Sequence, residues 1–553
     1  MQIEVVESVT KTIGSLALAY PYLRRLGVAE MIDALTTKGK ERHVTTGQVI
    51  EILVLNRLSL RPTPMSKIGA WAQTQAVEEV YGLAADALND DRIGRALDEI
   101  HPHLVDAWAA LVLRGAQAYG LHLGQLHSDV TRLAFEGGYD ELPTQATNGQ
   151  PVAKITYGFT GKEDPSRKQL TLSLSVAADG GMPAWYRLAD GNAADTRAYL
   201  AHLTAVRERL HLDQPLVIGD SKLITRANML GFCRVGARFI GPTSLTGADR
   251  SSLRRLWAAG EPRQRLDEPA DAQEPSIGRY WGLEQREVLP DPEYATQYAV
   301  RRLFVHSLDD RRAARHQRAK DLDRARRALW TIKGRLSRPV YRQLTFVQRK
   351  VAEAVAKVKQ YVETNVIETS GGLDVRWRLR HECLREDAEF DGFYCVLSNE
   401  VETQAPMQAI FRAYKEQSKV ERRFRVVKQP PIQVRPVWLH QPQRIESLVF
   451  VVMVALFVFA LIEREARRVV KESGQVFTGL RPEGRDKLPV TAERLFEAFA
   501  PLSLVKQRLR VAGEVIDMLT PATLSPTQAQ VLDRLRLVQP ASYLQPTTTP
   551  HPA

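Results

Sequence analysis

Residues 123–135 read LGQLHSDVTRLAF, and their reading decides the fold class. The segment has the look of a β-strand that carries an aspartate, Asp129, in its interior. The next ordered stretch, QLTLSLSVAADGGMPAWYRLADGN (169–192), alternates apolar residues at Leu170, Leu172, Leu174 and Val176. It turns at Asp179-Gly180-Gly181 and runs back, which predicts a β-hairpin. AYLAHLTAVRERL (198–210) predicts a helix. QPLVIGDSKLIT (214–225) then packs Leu216, Val217 and Ile218 into a short buried strand ending at Asp220. Strand, hairpin, helix, strand is an α/β order.

Outward from this segment the texture changes. Residues 1–120 read as several short helices. TTGQVIEILVLNRLSL (45–60) places Thr45 three residues before Gln48, a capping box, and RPTP (61–64) breaks it. NDDRIGRALDEI (89–100) opens another helix, capped by Asn89 or Asp90. Short helices with brief breaks suit a helix-turn-helix-like DNA-binding module and equally a helical domain of other purpose. From about 251 to 395 the chain mixes predicted strands (GRYWGLEQREV, YAVRRLFVHSL, LDVRWRLRHECL, GFYCVLSN) with a long Arg/Lys-rich helical stretch, about 308–366. That stretch is either a helical hairpin touching DNA or a solvated helix pair. After about 471 polar helices are expected, and QPTTTPHPA (545–553) reads as a disordered tail.

Composition bounds the partners. The chain has 553 residues and a net charge of +12, which favours a polyanion such as nucleic acid. Its three cysteines, Cys233, Cys383 and Cys395, form no CxxC pair. A zinc knuckle and a disulfide framework are therefore not expected, and a reducing cytoplasm is. The apolar run LVFVVMVALFVFALI (448–462) is shorter than the ~20 residues that span a bilayer, and Glu463 and Arg464 follow it directly. A buried core helix is expected there, with no membrane.

The segment AYKEQSKVERRFRVVKQPP (413–431) is basic, with Glu421 inside it. No proline interrupts the chain between Pro406 and Pro430, so one helix is expected. On a single helical wheel Val420, Phe424 and Val427 form the apolar face. Tyr414, Gln417, Glu421 and Lys428 fall on that face or its edge, while Arg412, Lys415, Lys419, Arg422 and Arg423 point away. An inward carboxylate needs a cation, a metal or a raised pKa. A Glu421–Lys428 pair is one solution. Another is a metal site shared with Asp129 and Asp220, since carboxylates are the ligands Mg²⁺ prefers. Taken singly, Asp129 could instead hydrogen-bond Thr131, and Asp220 could cap the following helix.

HSDVT (127–131), VIGDSK (217–222) and YKEQSKVERRFRVVK (414–428) resemble the three motifs of the DDE transposases of bacterial insertion sequences, in the IS-four superfamily. That family carries Tyr-x2-Arg-x3-Glu-x6-Lys around its glutamate. Tyr414, Glu421 and Lys428 match it, and Gln417 stands where the family has arginine. YGFT (157–160), LADGNAADT (188–196) and NDDRIGRALD (89–98) extend the resemblance over roughly 20–470. It is most like the long branch with a helical N-terminal domain (the IS-sixteen-thirty-four-like branch).

The resemblance implies a ribonuclease-H-like core in two parts, about 121–250 and 396–470. A mixed strand and helix insertion, 251–395, would interrupt it. A helical DNA-binding domain, 1–120, would precede it, and a helical C-terminal region, 471–553, would follow. It also implies two Mg²⁺ ions (Mn²⁺ may substitute) held by Asp129, Asp220 and Glu421, and a double-stranded DNA substrate comprising transposon ends and target. A homodimer would pair the ends, and the protein would be associated with the bacterial nucleoid. Tyr414 and Lys428 would contact phosphates, with Lys419 or Arg422 as nearby cations. Two rivals are a nuclease on the same fold without strand transfer and a catalytically silent DNA-binding protein.

Overall fold

The computed structural model describes residues 3–544 apart from 37–43, 136–138, 140–142, 159–166, 194, 269–278, 429–438, 440, 482–485, 487 and 512–513. The expected disordered tail lies outside the described residues. The fold is mixed α/β. The chain divides into two compact units, one of residues 1–238 with 416–553 and one of residues 239–415.

In the first unit the Asp129 strand, Gln125–Phe135, pairs antiparallel with Lys168–Ala177, which pairs antiparallel with Pro183–Asp190. The hairpin turn lies where the glycines predict it. Gly180 and Gly181 both adopt positive φ, 68° and 64°, a conformation that glycine takes without steric cost. A helix, Asp195–Leu210, then carries the chain to the short strand Leu216–Ile218, which lies parallel to the Asp129 strand on its other side. Parallel neighbours need such a crossover. The strand stops two residues before Asp220, not at it.

The apolar run forms the middle of one long helix, Pro442–Ser473. Its most apolar window is 94% buried inside the fold. This core helix packs against helices Leu16–Leu26, Thr46–Leu58, Asp90–Ile100 and Leu104–Tyr119, and against the strand Pro183–Asp190. The N-terminal helices and the sheet therefore share one hydrophobic core. The Thr45–Gln48 capping box forms as expected, and Asn89 is the cap of its helix.

Two expectations are corrected at the ends of the chain. Residues Ile3–Thr12 are a strand rather than part of an all-helical start. The C-terminal region is not all helical: Ser503–Val511 and Glu514–Pro521 are strands flanked by helices Ala492–Phe499 and Pro526–Arg534. The three strands form a sheet in which Ser503–Val511 lies between the other two. The first strand escapes any local pattern, because its pairing partner lies some 500 residues away.

In the second unit the strands Tyr280–Asp291, Thr296–Ser307 and Phe393–Ser398 match the expected strands. The basic stretch forms two helices, Leu308–Lys333 and Leu344–Val355. Its last residues belong to a strand, Val362–Thr369, that pairs with Gly372–Leu379. The sequence HECL (381–384), read as the end of a strand, opens a helix, His381–Glu389.

The expected single helix between Pro406 and Pro430 is broken. Met407–Lys415 and Ser418–Lys428 are separate helices, with a turn at Glu416–Gln417 on the unit boundary. The break resets the helical phase, so a single wheel drawn through both helices misassigns the second. Arg423, expected outward, is 2% exposed. Its guanidinium donates to the carbonyls of Gly181 (2.9 Å) and Gly180 (2.7 Å), and to Glu463 on the core helix (3.2 Å). Glu463 is itself buried. Removing one partner of a buried ion pair strands the other charge. Arg423→Ala should lower the unfolding free energy by roughly 3 kcal/mol. Arg468→Ala, whose guanidinium is half exposed and whose partner Glu465 keeps Arg464, should stay within about 1 kcal/mol. Guanidinium chloride unfolding of both variants checks the difference.

Candidate active site

The Asp129 strand and the 216–218 strand are held in register by Gln125 opposite Leu216, Leu126 opposite Val217 and His127 opposite Ile218. Continued by two residues, the same register sets Asp129 opposite Asp220. The chains stay close beyond the last ladder pair: a Cβ added at Gly219 would lie 3.3 Å from the Ser128 carbonyl oxygen and 2.7 Å from Leu223. Neighbouring strands are about 4.8 Å apart, so the two aspartates emerge side by side at one end of the sheet.

Each aspartate has one oxygen fixed by the protein. Asp129 Oδ1 accepts from its neighbour's amide, Val130 N (2.7 Å). Asp220 Oδ1 accepts from the Tyr199 hydroxyl (2.8 Å) and from Lys222 N (3.0 Å). The hydrogen bond to Lys222 N anchors the turn after the strand.

Alternation along the Asp129 strand sends His127 and Asp129 to one face and Ser128 to the other. The two faces are covered by different helices. On the first, the Gln417 Oε1 accepts from His127 Nδ1 (3.3 Å) and its Nε2 donates to the Ser128 carbonyl oxygen (3.1 Å). Gln417 thus ties the start of the Glu421 helix to the residue preceding Asp129. On the second, Ser128 Oγ meets its cross-strand partner Ser175 Oγ (2.5 Å), which meets His202 Nε2 (2.8 Å). Burial pushes the His202 imidazole down to about 3, so this buried line is uncharged at neutral pH.

Glu421 follows Gln417 by four residues, on the helix that begins at Ser418. It is exposed, not buried as the single-helix wheel implies. It also lies in the first turn of its helix, where the macrodipole favours a carboxylate. Its charge reaches Asp129 nonetheless. The Asp129 carboxyl is pushed up from 3.8 to about 6, first by burial and then by the neighbouring charges of Asp220 and Glu421. The Val130 amide and Lys222 oppose the rise. The three carboxylates therefore share one electrostatic neighbourhood. Among the described residues, no three His, Cys, Asp or Glu stand close enough together to hold one metal ion. The trio lies within electrostatic range but not within one coordination sphere.

The other expected site residues lie as follows. Lys419 is turned inward rather than outward. Its ammonium donates to the Ala178 carbonyl (2.8 Å) and pairs with Glu416 (2.9 Å). Lys428 is exposed at the end of the Glu421 helix, and Arg422 is half-buried on it. Tyr414 belongs to the second unit, where its ring lies 6.0 Å from that of Tyr394. Tyr199, His127 and Ser175 escaped the sequence reading. His127 lies inside the quoted HSDVT motif, two residues before Asp129, and strand alternation alone places it on the carboxylate face.

Residues 8–109 match a family described as a domain of unknown function (DUF4277). No curated protein matches the chain. Among solved structures, the Mos1 transposase paired-end complex with left transposon end is similar at 12% identity and a TM-score of 0.15. The match covers 37% of this chain and 61% of that one, less than two thirds of its length. At that TM-score the likeness carries no structural argument.

An acid whose folded pKa is raised binds more protons folded than unfolded. Asp129 therefore costs stability progressively as pH rises from about 4 to 6, and the cost is complete above that. Asp129→Asn should stabilise the protein at pH 7.5 by roughly 1–2 kcal/mol, after allowance for partial exposure, and by little at pH 4. Thermal unfolding of both proteins at the two pH values measures this.

Proposed function

We propose that the chain is a DDE-type DNA transposase, with Asp129, Asp220 and Glu421 as its acidic centre on a ribonuclease-H-like core. One observation carries the reading. Two aspartates come side by side from adjacent parallel strands, and burial, with the charges of Asp220 and of Glu421 on the covering helix adding to it, raises the Asp129 pKa to about 6. Crowded carboxylates are costly unless the site serves a cation or a proton. The motif resemblance of the three segments supports the same choice.

The donor set fits a hard divalent cation, since all three groups offer carboxylate oxygen. Mg²⁺, when bound, supplies neutralisation of the site's negative charge and activation of an oxygen nucleophile. Asp129 and Asp220 would hold it from the sheet. Glu421 would hold it from the helix, where an exposed side chain with three rotatable bonds can turn toward the aspartates. Above about pH 6 Asp129 has shed its proton and can serve as a ligand.

The remaining residues of the site position these groups. Gln417 anchors the Glu421 helix to the Asp129 strand through His127 and Ser128. It stands where the related family has arginine, and its amide both donates and accepts, as arginine cannot. Lys419 and Arg423 clamp the same helix to the hairpin turn. Lys428, Arg422 and Tyr414 would meet DNA phosphates, contacts that position the strand without reading its sequence. The reaction is phosphoryl transfer. Water cuts a strand at the element's end, and the freed 3′-hydroxyl attacks a target phosphodiester. A homodimer would present the two ends together.

The test uses labelled duplex carrying the element's own ends, with Mg²⁺, and separate assays for cutting and for joining of pre-cut ends. Glu421→Gln and Asp220→Asn should each lower cleavage by about 100-fold or more while leaving DNA binding within a few-fold. Gln417→Ala should lower the cleavage rate about tenfold at unchanged affinity. Undiminished cutting by Glu421→Gln would sink the assignment. Cutting without joining would leave a nuclease.

A further inference from the structure

The charge of this protein is concentrated. Residues 308–380 hold nineteen Lys and Arg against eight Asp and Glu, while the rest of the chain holds 57 against 56. Nearly all of the net +12 therefore sits in 73 residues of the second unit. These residues fold as helices Leu308–Lys333 and Leu344–Val355 over the hairpin Val362–Thr369 and Gly372–Leu379. They close around their own small core, which includes Leu329, Ile332, Val347, Val351 and Val375. Packing thus accounts for the inward residues and leaves the excess cations outside.

A solvated helix pair would balance its charges. Part of this one does: Arg324 pairs with Asp321, Arg326 and Arg327 with Asp323, and Arg312 with Asp309. These pairs are three or four residues apart and well exposed, so they hold the helix weakly and leave the guanidinium groups accessible. The link between the two helices has no such balance. Arg335, Arg338 and Arg342 are exposed, as are Lys357 and Lys359 past the second helix, and none has an acidic partner among the described residues. Like charges this dense repel one another, a cost with no structural return in the fold itself.

We infer that this face binds the sugar–phosphate backbone of duplex DNA, outside the acidic centre. It deepens the transposase reading by naming where the second unit would grip its substrate. Two features favour nucleic acid over an anionic lipid surface. The Leu308–Lys333 helix buries only Ala325, Leu329 and Ile332, and Trp330 is the one large apolar side chain among its exposed positions, so it has no apolar stripe to enter a bilayer. Trp330, 59% exposed, stands edge-on to Trp377 at 5.2 Å with Lys333 beside the pair. Flat aromatic surface set among cations is the combination nucleic-acid faces use.

The experiment measures binding of the full chain to an arbitrary-sequence duplex across a salt series, in EDTA so that the acidic centre plays no part. The triple variant Arg335→Gln, Arg338→Gln, Arg342→Gln should bind more weakly. It should also lower the slope of log K against log salt by about 2–3, close to one per lost phosphate contact. Lys357→Gln with Lys359→Gln, away from the helix link, should lower it by about 1–2. The second pair keeps the test open if the triple fails to fold. Unchanged slopes in folded variants overturn the inference. So does a loss of binding confined to phosphatidylserine vesicles, which would make the face a lipid surface. The outcome is separate from that of the active-site variants: a silent acidic centre leaves the salt slopes intact, and neutral slopes leave cleavage to be judged on its own.

Discussion

The buried guanidinium of Arg423 is the tie on which the first unit depends. It reaches the two carbonyls of the Gly180-Gly181 turn and the buried carboxylate of Glu463 at once. Three elements that are remote in sequence are thereby fixed together: the hairpin of the sheet, the Glu421 helix and the core helix. A desolvated cation tolerates only a narrow set of geometries, and here Nε and Nη2 of Arg423 make all three contacts. The turn answers with glycine. A Cβ at Gly180 would come within 2.8 Å of Arg464, and one at Gly181 within 3.3 Å of Arg423. The position of Glu421 is therefore inherited from contacts that do not involve it.

Much of the sheet was legible in the sequence, because its signals are local. Alternation at Leu170, Leu172, Leu174 and Val176, followed by Asp-Gly-Gly, admits few alternatives to a hairpin. The apolar run from Leu448 was legible as core by its length and by the charges that follow it. Both aspartates could be placed at strand positions, although Asp220 falls two residues past its strand. The Glu421 helix was misread for a physical reason. A helical wheel assumes an unbroken phase, and the turn at Glu416–Gln417 breaks it without any proline or glycine to announce the break. Gln417 spends its side chain on the neighbouring strand, a tertiary contact that no local pattern reports. Hence Arg423 was placed outside and Glu421 inside, the reverse of what the fold does.

The acidic centre shows the same division. The grouping of Asp129, Asp220 and Glu421 rests on motif resemblance; the structure adds that the charges of Asp220 and Glu421 act on the Asp129 carboxyl, after its burial. The groups that hold them in place, Tyr199 on Asp220 and Gln417 beside Asp129, depend on which helix covers which face. For Tyr199 and Asp220 the contact spans 21 residues, and for Gln417 and the Asp129 strand it spans nearly 290.

The terminal sheet carries a consequence for biosynthesis. The strand Ile3–Thr12 waits for Ser503–Val511, and the N-terminal helices wait for the core helix at 442–473. A ribosome thus releases the first helices long before their packing surface exists. The second unit, continuous from 239 to 415, has all its partners as soon as it has emerged. Its helix link and hairpin close over short loops, which cost little entropy. The nascent chain is then ordered from its middle outward, and the apolar faces of the N-terminal helices are a burden for chaperones until the core helix has been made.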